Sequence, residues 1–291
     1  MKKTAVIAVS TGCLDYLDLN PENLFIIRCK IIIGDKTYDD YVDINASDFY
    51  ETIKNDTSVV PSSSMPAIGE ILETLETIEE KGYENVLMIT ISSELSGTYQ
   101  TCKMAANSFE GNLNIKVLDT KNAAISEGFI SIEALRLIEE DKLSLDEIYA
   151  YLEKLSLARE QYFMVDNLRL LVKNGRLSGA KGLMGRLLKM KPILKVNDEG
   201  KIVPHEKIRT QRKALEVMTN QVIEALKGRK NIVITYDTSD NQEGFDYVKS
   251  RIEQVYPDFK SYAAPITPVI GAHTGAGTVG VAFFDLDEAK K

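Results

Sequence analysis

The alternation of short apolar runs with helix-like segments in the first half of the chain constrains its fold more than any other feature. Runs of strand length lie at residues 4–9, 25–33, 85–89 and 115–118, and helical spacing of apolar residues follows at 68–78, 98–108 and 123–140. Strands that alternate with helices pair in parallel, because each crossover helix packs on a face of the sheet. We therefore predict a three-layer α/β domain with a parallel sheet for residues 1–158.

Residues 159–291 show a different pattern. The segments 192–196 and 201–205 flank Asn197-Asp198-Glu199-Gly200, a turn sequence that predicts an antiparallel hairpin. Strands near 162–165, 231–236 and 278–284 alternate with two helices, one near 210–226 and another that ends at residue 255. This half is predicted to be a second α/β domain with a mixed sheet, and the domain boundary is placed near residue 158.

Composition restricts the class of protein. Hydrophobic residues make up 44% and charged residues 27% of the 291 residues, as in ordinary globular proteins. Met1-Lys2-Lys3 leads into a strand rather than a signal peptide, and no apolar run is long enough to cross a membrane. Three widely spaced cysteines and two histidines favour reduced thiols and argue against a disulfide framework or a metal centre. We expect a cytoplasmic protein without a metal or cofactor and without stable membrane insertion.

The negative charge is distributed unevenly along the chain. Between Arg169 and Lys213 there are 13 Lys/Arg and three acidic residues, a local charge of +10. The remainder must carry −18 to give the net charge of −8. Such a chain is a poor nucleic-acid binder, but its basic segment suits either an acidic partner or a phosphate, or is simply solvated.

Two clusters of hydroxyl side chains precede predicted helices. Ser62-Ser63-Ser64 follows Pro61, and Ser92-Ser93 lies between a buried strand and the helix at 98–108. Neutral donors and a helix N-terminus suit a small anion, so these clusters predict a site for an acidic group that uses no positive side chain. Capping of the helices is the alternative explanation for each serine.

A glycine-rich turn at 268–278 contains His273, which adds a further neutral donor or packs as a structural residue. The turn lacks the Lys-Ser/Thr ending of a nucleotide-binding loop. Ser93 and His273 also raise the possibility of a serine hydrolase, although the G-x-S-x-G elbow is missing. His205 is expected to be an exposed structural residue.

Several segments, taken in order along the whole chain, resemble the DegV family. They are Ser10-Thr11, 61–66, 91–100, 163–168 with 173–176, 189–194 and 271–275. Within the family, the chain is similar to the fatty-acid-binding subunits of bacterial fatty acid kinase. The resemblance implies a two-domain fold that holds a long-chain fatty acid between the domains.

The resemblance also implies roles for individual residues. Ser62 and Ser93 would be the main contacts of the fatty acid carboxylate, with Ser63 and Ser92 beside them and His273 completing the network. Met65 stands where the family usually has glutamine, at the expected entrance of the pocket. Val9-Ser10 stands where the family usually has Asp-Ser.

The function implied is that of a carrier, not an enzyme. It would present the carboxylate to a separate ATP-dependent fatty acid kinase subunit, and acceptor enzymes could use the acyl phosphate for phospholipid metabolism. Arg176, Lys191 and Arg209 of the basic segment are the candidate docking residues for the kinase. Two alternatives remain: a serine esterase or lipase using Ser93 and His273, and a lipid sensor without a kinase partner.

Overall fold

The structure is a computed structural model that describes residues 3–55, 60–179 and 190–291. Its strands are β1 Thr4–Val9, β2 Leu24–Ile27, β3 Lys30–Ile33, β4 Lys36–Asp39, β5 Ser62–Ser64, β6 Asn85–Thr90, β7 Asn114–Asp119, β8 Arg159–Met164, β9 Ile193–Val196, β10 Ile202–Glu206, β11 Ile232–Ser239, β12 Lys260–Pro265 and β13 Thr278–Asp285. Its helices are α1 Ala46–Asn55, α2 Ile68–Glu80, α3 Thr98–Ser108, α4 Ile125–Glu140, α5 Leu145–Leu157, α6 Arg169–Lys173, α7 Gln211–Ala225, α8 Gln242–Val255 and α9 Pro268–Thr274. Within the described ranges, no helix combines the length and apolar character needed to cross a bilayer.

The parallel three-layer arrangement predicted for the first half is confirmed. Strands β2, β1, β6 and β7 form a parallel sheet in that order. Alternate residues of β1 point to opposite faces. Ile7 packs with Leu75 of α2 on one face, and Val6 packs with Phe129 of α4 on the other. Helices therefore cover both faces of the sheet.

One strand prediction in this half is wrong. The β-branched run at 25–33 was expected to be a single strand, but it divides into β2 in the parallel sheet and β3 in a separate sheet of order β4-β3-β5. The chain turns at Arg28, whose guanidinium pairs with Asp15 at 2.5 and 2.7 Å. The next amide, that of Cys29, donates to Ser10 Oγ at 3.2 Å rather than to a sheet ladder. These side-chain contacts interrupt a run that apolar character alone would continue.

The second half forms the predicted mixed sheet. Its order is β10-β9-β8-β13-β11-β12, in which β11 and β12 are parallel and the other neighbours are antiparallel. The predicted hairpin is confirmed as β9 and β10. Helices α7 and α8 pack on one face of this sheet. The opposite face turns toward the first sheet, and Phe284 of β13 packs there with Phe129 of α4 at 4.7 Å between ring centroids.

The predicted domain boundary near residue 158 falls between α5 and β8. The parallel sheet precedes this point and the six-stranded sheet follows it. Helix α9, from the second half, inserts Val269 and Ala272 into the core that contains Phe49 and Tyr50 of α1. Because the two halves share this core, the division into two domains stays a prediction.

Candidate functional site

A cavity of about 360 Å³ lies between the carboxyl end of the parallel sheet and the facing side of the six-stranded sheet. Cavities that bind small molecules span about 300–1,000 Å³ and are mostly apolar. Both halves of the chain contribute apolar side chains to the wall, among them Ile91, Leu95, Phe163, Leu171, Val196, Ile202, Ile266 and Ile270. A wall of this kind suits a hydrocarbon chain.

A serine–histidine pair forms part of the wall. Ser63 lies at the centre of β5, opposite Ile31 of β3, and its Oγ is 2.7 Å from Nε2 of His273. Ser62 is exposed and does not line the cavity, whereas Ser64 contributes to the cavity wall. Of the three adjacent serines, the structure therefore brings Ser63 to the histidine.

His273 lies on a helix rather than in the expected glycine-rich turn. Pro268 occupies the first turn of α9, where its missing N–H costs no hydrogen bond. The helix ends before Gly275, whose φ of +76° is a conformation that glycine adopts without a steric penalty. Gly271 lies within the helix and only Gly275 and Gly277 follow it, so α9 gives His273 a defined position.

The environment of His273 keeps its ring neutral. Burial and, secondarily, the charge of Arg176 lower the pKa of His273 to about 4. Nδ1 is buried and has no hydrogen-bond partner among the described residues. A neutral imidazole has one donor and one acceptor nitrogen, so His273 can pair with Ser63 or with a bound group.

Arg176 corrects the expectation of a site without a positive side chain. Arg176, a candidate docking residue, is exposed and also lines the cavity. Its Nε donates to the carbonyl oxygen of Leu95 at 3.2 Å, which fixes the guanidinium beside the loop that precedes α3. Its position directly after the Asn174-Gly175 turn was a local signal that the chain folds back there.

Ser92 and Ser93 do not line this cavity in the structure. Ser92 is fully buried and its Oγ donates to the carbonyl oxygen of Gly200 at 2.8 Å. Ser93 Oγ donates to Asp119 Oδ2 at 2.5 Å, and the Ser93 amide donates to Oδ1 at 3.1 Å. The loop contributes Ser96 to the wall instead. Both Ser92 and Ser93 have partners within the protein.

Ser96 is a wall residue that the sequence did not single out. Its hydroxyl is 2.8 Å from Thr98 Oγ1 and accepts a hydrogen bond from the Thr98 amide at 3.3 Å. Beside it, Met65 covers Gly97, where a Cβ would lie 2.4 Å from the Met65 sulfur. The Ser-Gly-Thr sequence at the start of α3 was the available signal, since glycine leaves room for this contact and a larger residue would displace the Met65 side chain.

The other two candidate docking residues have different settings. Lys191 forms an ion pair with Asp166, and Arg209 is exposed. Lys189, which belongs to the basic segment and to one of the DegV-like motifs, lies outside the described residues. His205 is exposed on β10 as expected, with its ring 5.1 Å from that of Tyr162.

The arrangement is better suited to binding an acidic group than to nucleophilic catalysis. A catalytic serine needs a base that is in turn oriented by an acid. Ser93 is bonded to Asp119, while His273 is paired with Ser63 and its Nδ1 lacks an acidic partner among the described residues. Within the same ranges, no cluster of His, Cys, Asp and Glu side chains is arranged to hold a metal ion.

An apolar cavity whose wall contains hydroxyl, imidazole and guanidinium groups defines a site for an amphiphilic molecule with an acidic head. The profile of the DegV family, described as an uncharacterised protein family, matches residues 3–286. The chain belongs to the DegV family.

Related proteins match over nearly their full length. A DegV domain-containing protein of Listeria innocua is 33% identical over 281 residues, which cover 96% of this chain and 98% of the relative. A DegV fatty acid binding protein from Bacillus subtilis has a TM-score of 0.87 at 28% identity, covering 98% of this chain and 100% of that one. A fatty acid binding DegV family protein from Streptococcus agalactiae has a TM-score of 0.88 at 28% identity, with 98% and 99% coverage.

Proposed function

We propose that this protein binds a long-chain fatty acid in the cavity and presents its carboxylate to a separate ATP-dependent kinase subunit, which forms an acyl phosphate. The observation that carries the first part is the Ser63–His273 pair in the wall of an otherwise largely apolar cavity. Fatty acid binding by the Bacillus and Streptococcus relatives supports it.

The energetics favour a ligand with a long tail. Burial of each methylene group contributes about 0.8 kcal/mol, so roughly fifteen methylenes would give about 12 kcal/mol before the costs of association and ordering are subtracted. A buried carboxylate loses hydration and needs hydrogen bonds in return. The Ser63 hydroxyl, the His273 ring and the Arg176 guanidinium are three groups of the wall that can supply them.

The geometry changes which residues we assign to the carboxylate. Ser62 and Ser93 were the main contacts expected from the resemblance, with Ser63 and Ser92 beside them. Ser62 is exposed, and the hydroxyls of Ser92 and Ser93 donate to protein acceptors. We therefore assign carboxylate binding to Ser63 and His273, with Ser96 and Arg176 beside them.

Delivery to a kinase requires that the head group lie near the surface. Met65 lines the cavity and is also 44% exposed. Its sulfur lies 3.4 Å from the hydroxyl of Thr101 on α3. Ser64, next to it on β5, also lines the cavity and is exposed. A carboxylate held by Ser63 would thus be close to solvent, where a partner could reach it.

Lipid binding is tested by native mass spectrometry of the purified protein, followed by denaturation and identification of released lipid. A bound long-chain fatty acid, or uptake of one added after delipidation, is the expected result. Failure to take up any added fatty acid would contradict the proposal.

Kinase docking is tested by charge reversal at Lys191 and Arg209, with acyl phosphate trapped by hydroxylamine in the presence of a purified kinase subunit. Lys230→Glu, an exposed residue outside the basic segment, is the matched control. We expect the double variant to slow acyl phosphate formation while lipid binding is retained. Unchanged rates would disprove this docking site, and absence of any acyl phosphate with the unaltered protein would favour a lipid sensor.

A serine esterase acting through Ser93 and His273 has less support. The hydroxyl of Ser93 is bonded to Asp119, and the ring of His273 is paired with Ser63. Turnover of p-nitrophenyl acyl esters that is lost in Ser93→Ala would nevertheless establish it.

A further inference from the structure

The cavity wall carries a second group of polar side chains, which the carboxylate site does not use. Asp237 and Gln161 are each 6% exposed, and Thr11 is 2% exposed, yet all three line the cavity. Asp237 and Gln161 come from the six-stranded sheet, and Thr11 follows β1 of the parallel sheet. A binding site for an unsubstituted hydrocarbon chain has no use for such residues, because buried polar groups are costly unless they are hydrogen-bonded.

Asp237 is the most unusual of the three. Its cross-strand neighbour on β13 is Gly280, and a Cβ on that glycine would lie 2.2 Å from Asp237 Oδ1. The Asp237 carboxyl group therefore packs against the backbone of Gly280, in the space that the Cβ of any other residue at position 280 would occupy. Burial raises the pKa of Asp237 to about 7. No described residue donates a hydrogen bond to the carboxyl group, so its hydrogen-bonding capacity is free.

Gln161 faces the same space. Gly280 pairs with Phe163 on β8, and Gln161 lies two residues before Phe163 on that strand. Opposite residues share a face and alternate residues return to it, so Asp237 and Gln161 are on the same face of the sheet. Gln161 Nε2 donates to the carbonyl oxygen of Ala123 at 3.1 Å, but its Oε1 is buried and has no partner among the described residues.

Thr11 closes this region from the other sheet. Its hydroxyl donates to Glu127 Oε1 at 2.8 Å, which uses its single proton and leaves its oxygen able to accept. The same largely apolar cavity is thus lined by Gln161 Oε1 and the Asp237 carboxyl group, which have no hydrogen-bond partner among the described residues, and by the Thr11 oxygen, which can still accept. Native proteins leave few buried polar groups unpaired, and those that remain call for an explanation.

We propose that Asp237 and Gln161 bind a hydroxyl group on the hydrocarbon chain of the ligand, so that the preferred ligand is a hydroxylated fatty acid. A hydroxyl donates one hydrogen bond and also accepts, so beside a protonated Asp237 it donates to Gln161 Oε1 and accepts from the carboxylic acid. Beside an ionised Asp237 its single proton pairs with one of the two acceptors. An unsubstituted chain leaves both groups unpaired. This inference rests on the proposed function and specifies its substrate class.

The test compares stearic acid with a positional series of monohydroxystearic acids, using dissociation constants measured on the delipidated full-length chain. One positional isomer is expected to bind about tenfold more tightly than stearic acid, the ratio that one buried hydrogen bond provides. In Asp237→Leu this ratio should fall to about one. In Asp285→Asn, which removes a carboxylate from the end of β13 outside the cavity, the ratio should be unchanged.

A crystal structure with the tightest isomer provides a second measurement that needs no variant. The hydroxyl oxygen should lie within hydrogen-bond distance of Asp237 or Gln161, and its placement elsewhere would overturn the inference. Equal or weaker binding of every hydroxylated isomer relative to stearic acid would also overturn it. Absence of binding by stearic acid and by all isomers would instead reject the proposed function itself.

Discussion

The two serine clusters of this protein have similar sequences and opposite settings. Ser63 lies on β5, an edge strand of the three-stranded sheet, and is half-buried against His273. Ser92 and Ser93 follow β6, an interior strand of the parallel sheet, and donate to Gly200 and Asp119. One cluster presents a hydroxyl to the cavity, and the other closes a turn.

The difference arises from what surrounds each strand. Helix α9 contacts both β5 and β3, so the Ser63 side chain meets His273 and the cavity on that face of the sheet. At the end of β6, Thr90 pairs with Asp119 of β7, which brings that carboxylate to the loop. Asp119 also accepts from the Lys121 amide at 3.0 Å. Hydroxyl groups at the end of an interior strand thus have protein acceptors within reach.

The largest change in fatty acid affinity is expected from a negative charge at residue 63. Ser63→Asp would place a carboxylate beside the carboxylate of the ligand, and we expect fatty acid affinity to fall by about 100-fold. Ser62→Asp, at the exposed neighbouring position, is the control and should change affinity little. Similar losses in both variants would show that Ser63 has no special role.

The low pKa of His273 makes stability depend on pH. Its value is about 4 in the folded protein against 6.5 for an unperturbed histidine, so the unfolded chain binds more protons between these values. The free energy of unfolding is therefore not reduced by His273 above about pH 6.5. As the pH falls toward 4, the unfolded chain takes up a proton first and the free energy of unfolding decreases, by about 2 kcal/mol near pH 5. Urea unfolding at several pH values should show this loss, and His273→Gln should reduce it. Parallel stability–pH curves for the two proteins would contradict the assignment.

Removal of a single hydroxyl from each serine cluster tests which cluster contacts the fatty acid. In Ser63→Ala, affinity for a fatty acid is expected to fall by about tenfold, the cost of one hydrogen bond to a charged group. Ser93→Ala should leave affinity close to that of the unaltered protein. Isothermal titration with one fatty acid compares the two variants, and a greater loss in Ser93→Ala would restore Ser93 as the main carboxylate contact.

The smallest effect is expected at Ser92, and on stability rather than binding. Ser92→Ala leaves the Gly200 carbonyl without its donor, and we expect the free energy of unfolding to fall by about 1 kcal/mol. Thermal unfolding measures this change. A clear loss of fatty acid affinity without loss of stability would show that Ser92 serves the ligand.

Local sequence patterns were sufficient for most of the secondary structure. Helix α3 has the predicted bounds of residues 98–108, and the apolar stripe before it is buried through Ile71, Leu75 and Ile78. Patterns failed at two places. The run at 25–33 divides because Arg28 pairs with Asp15, and α9 was missed because its glycines obscured a helical start at Pro268.

The sequence by itself determined the α/β class and the parallel and mixed sheets, and it singled out His273 and the 62–64 serines as candidate site residues. These features depend on residue spacing and on side-chain chemistry, both of which can be read locally. Only the tertiary structure decided that Ser63 faces His273, that Arg176 lines the cavity, and that Asp237 lies beside Gly280 without a hydrogen-bond partner in the described part of the chain. The positions of Ser63 and Asp237 depend on the pairing of strands far apart in the chain, and a shift of one residue in register would turn either side chain to the opposite face. The position of Arg176 depends on the turn after α6 and on its hydrogen bond to Leu95.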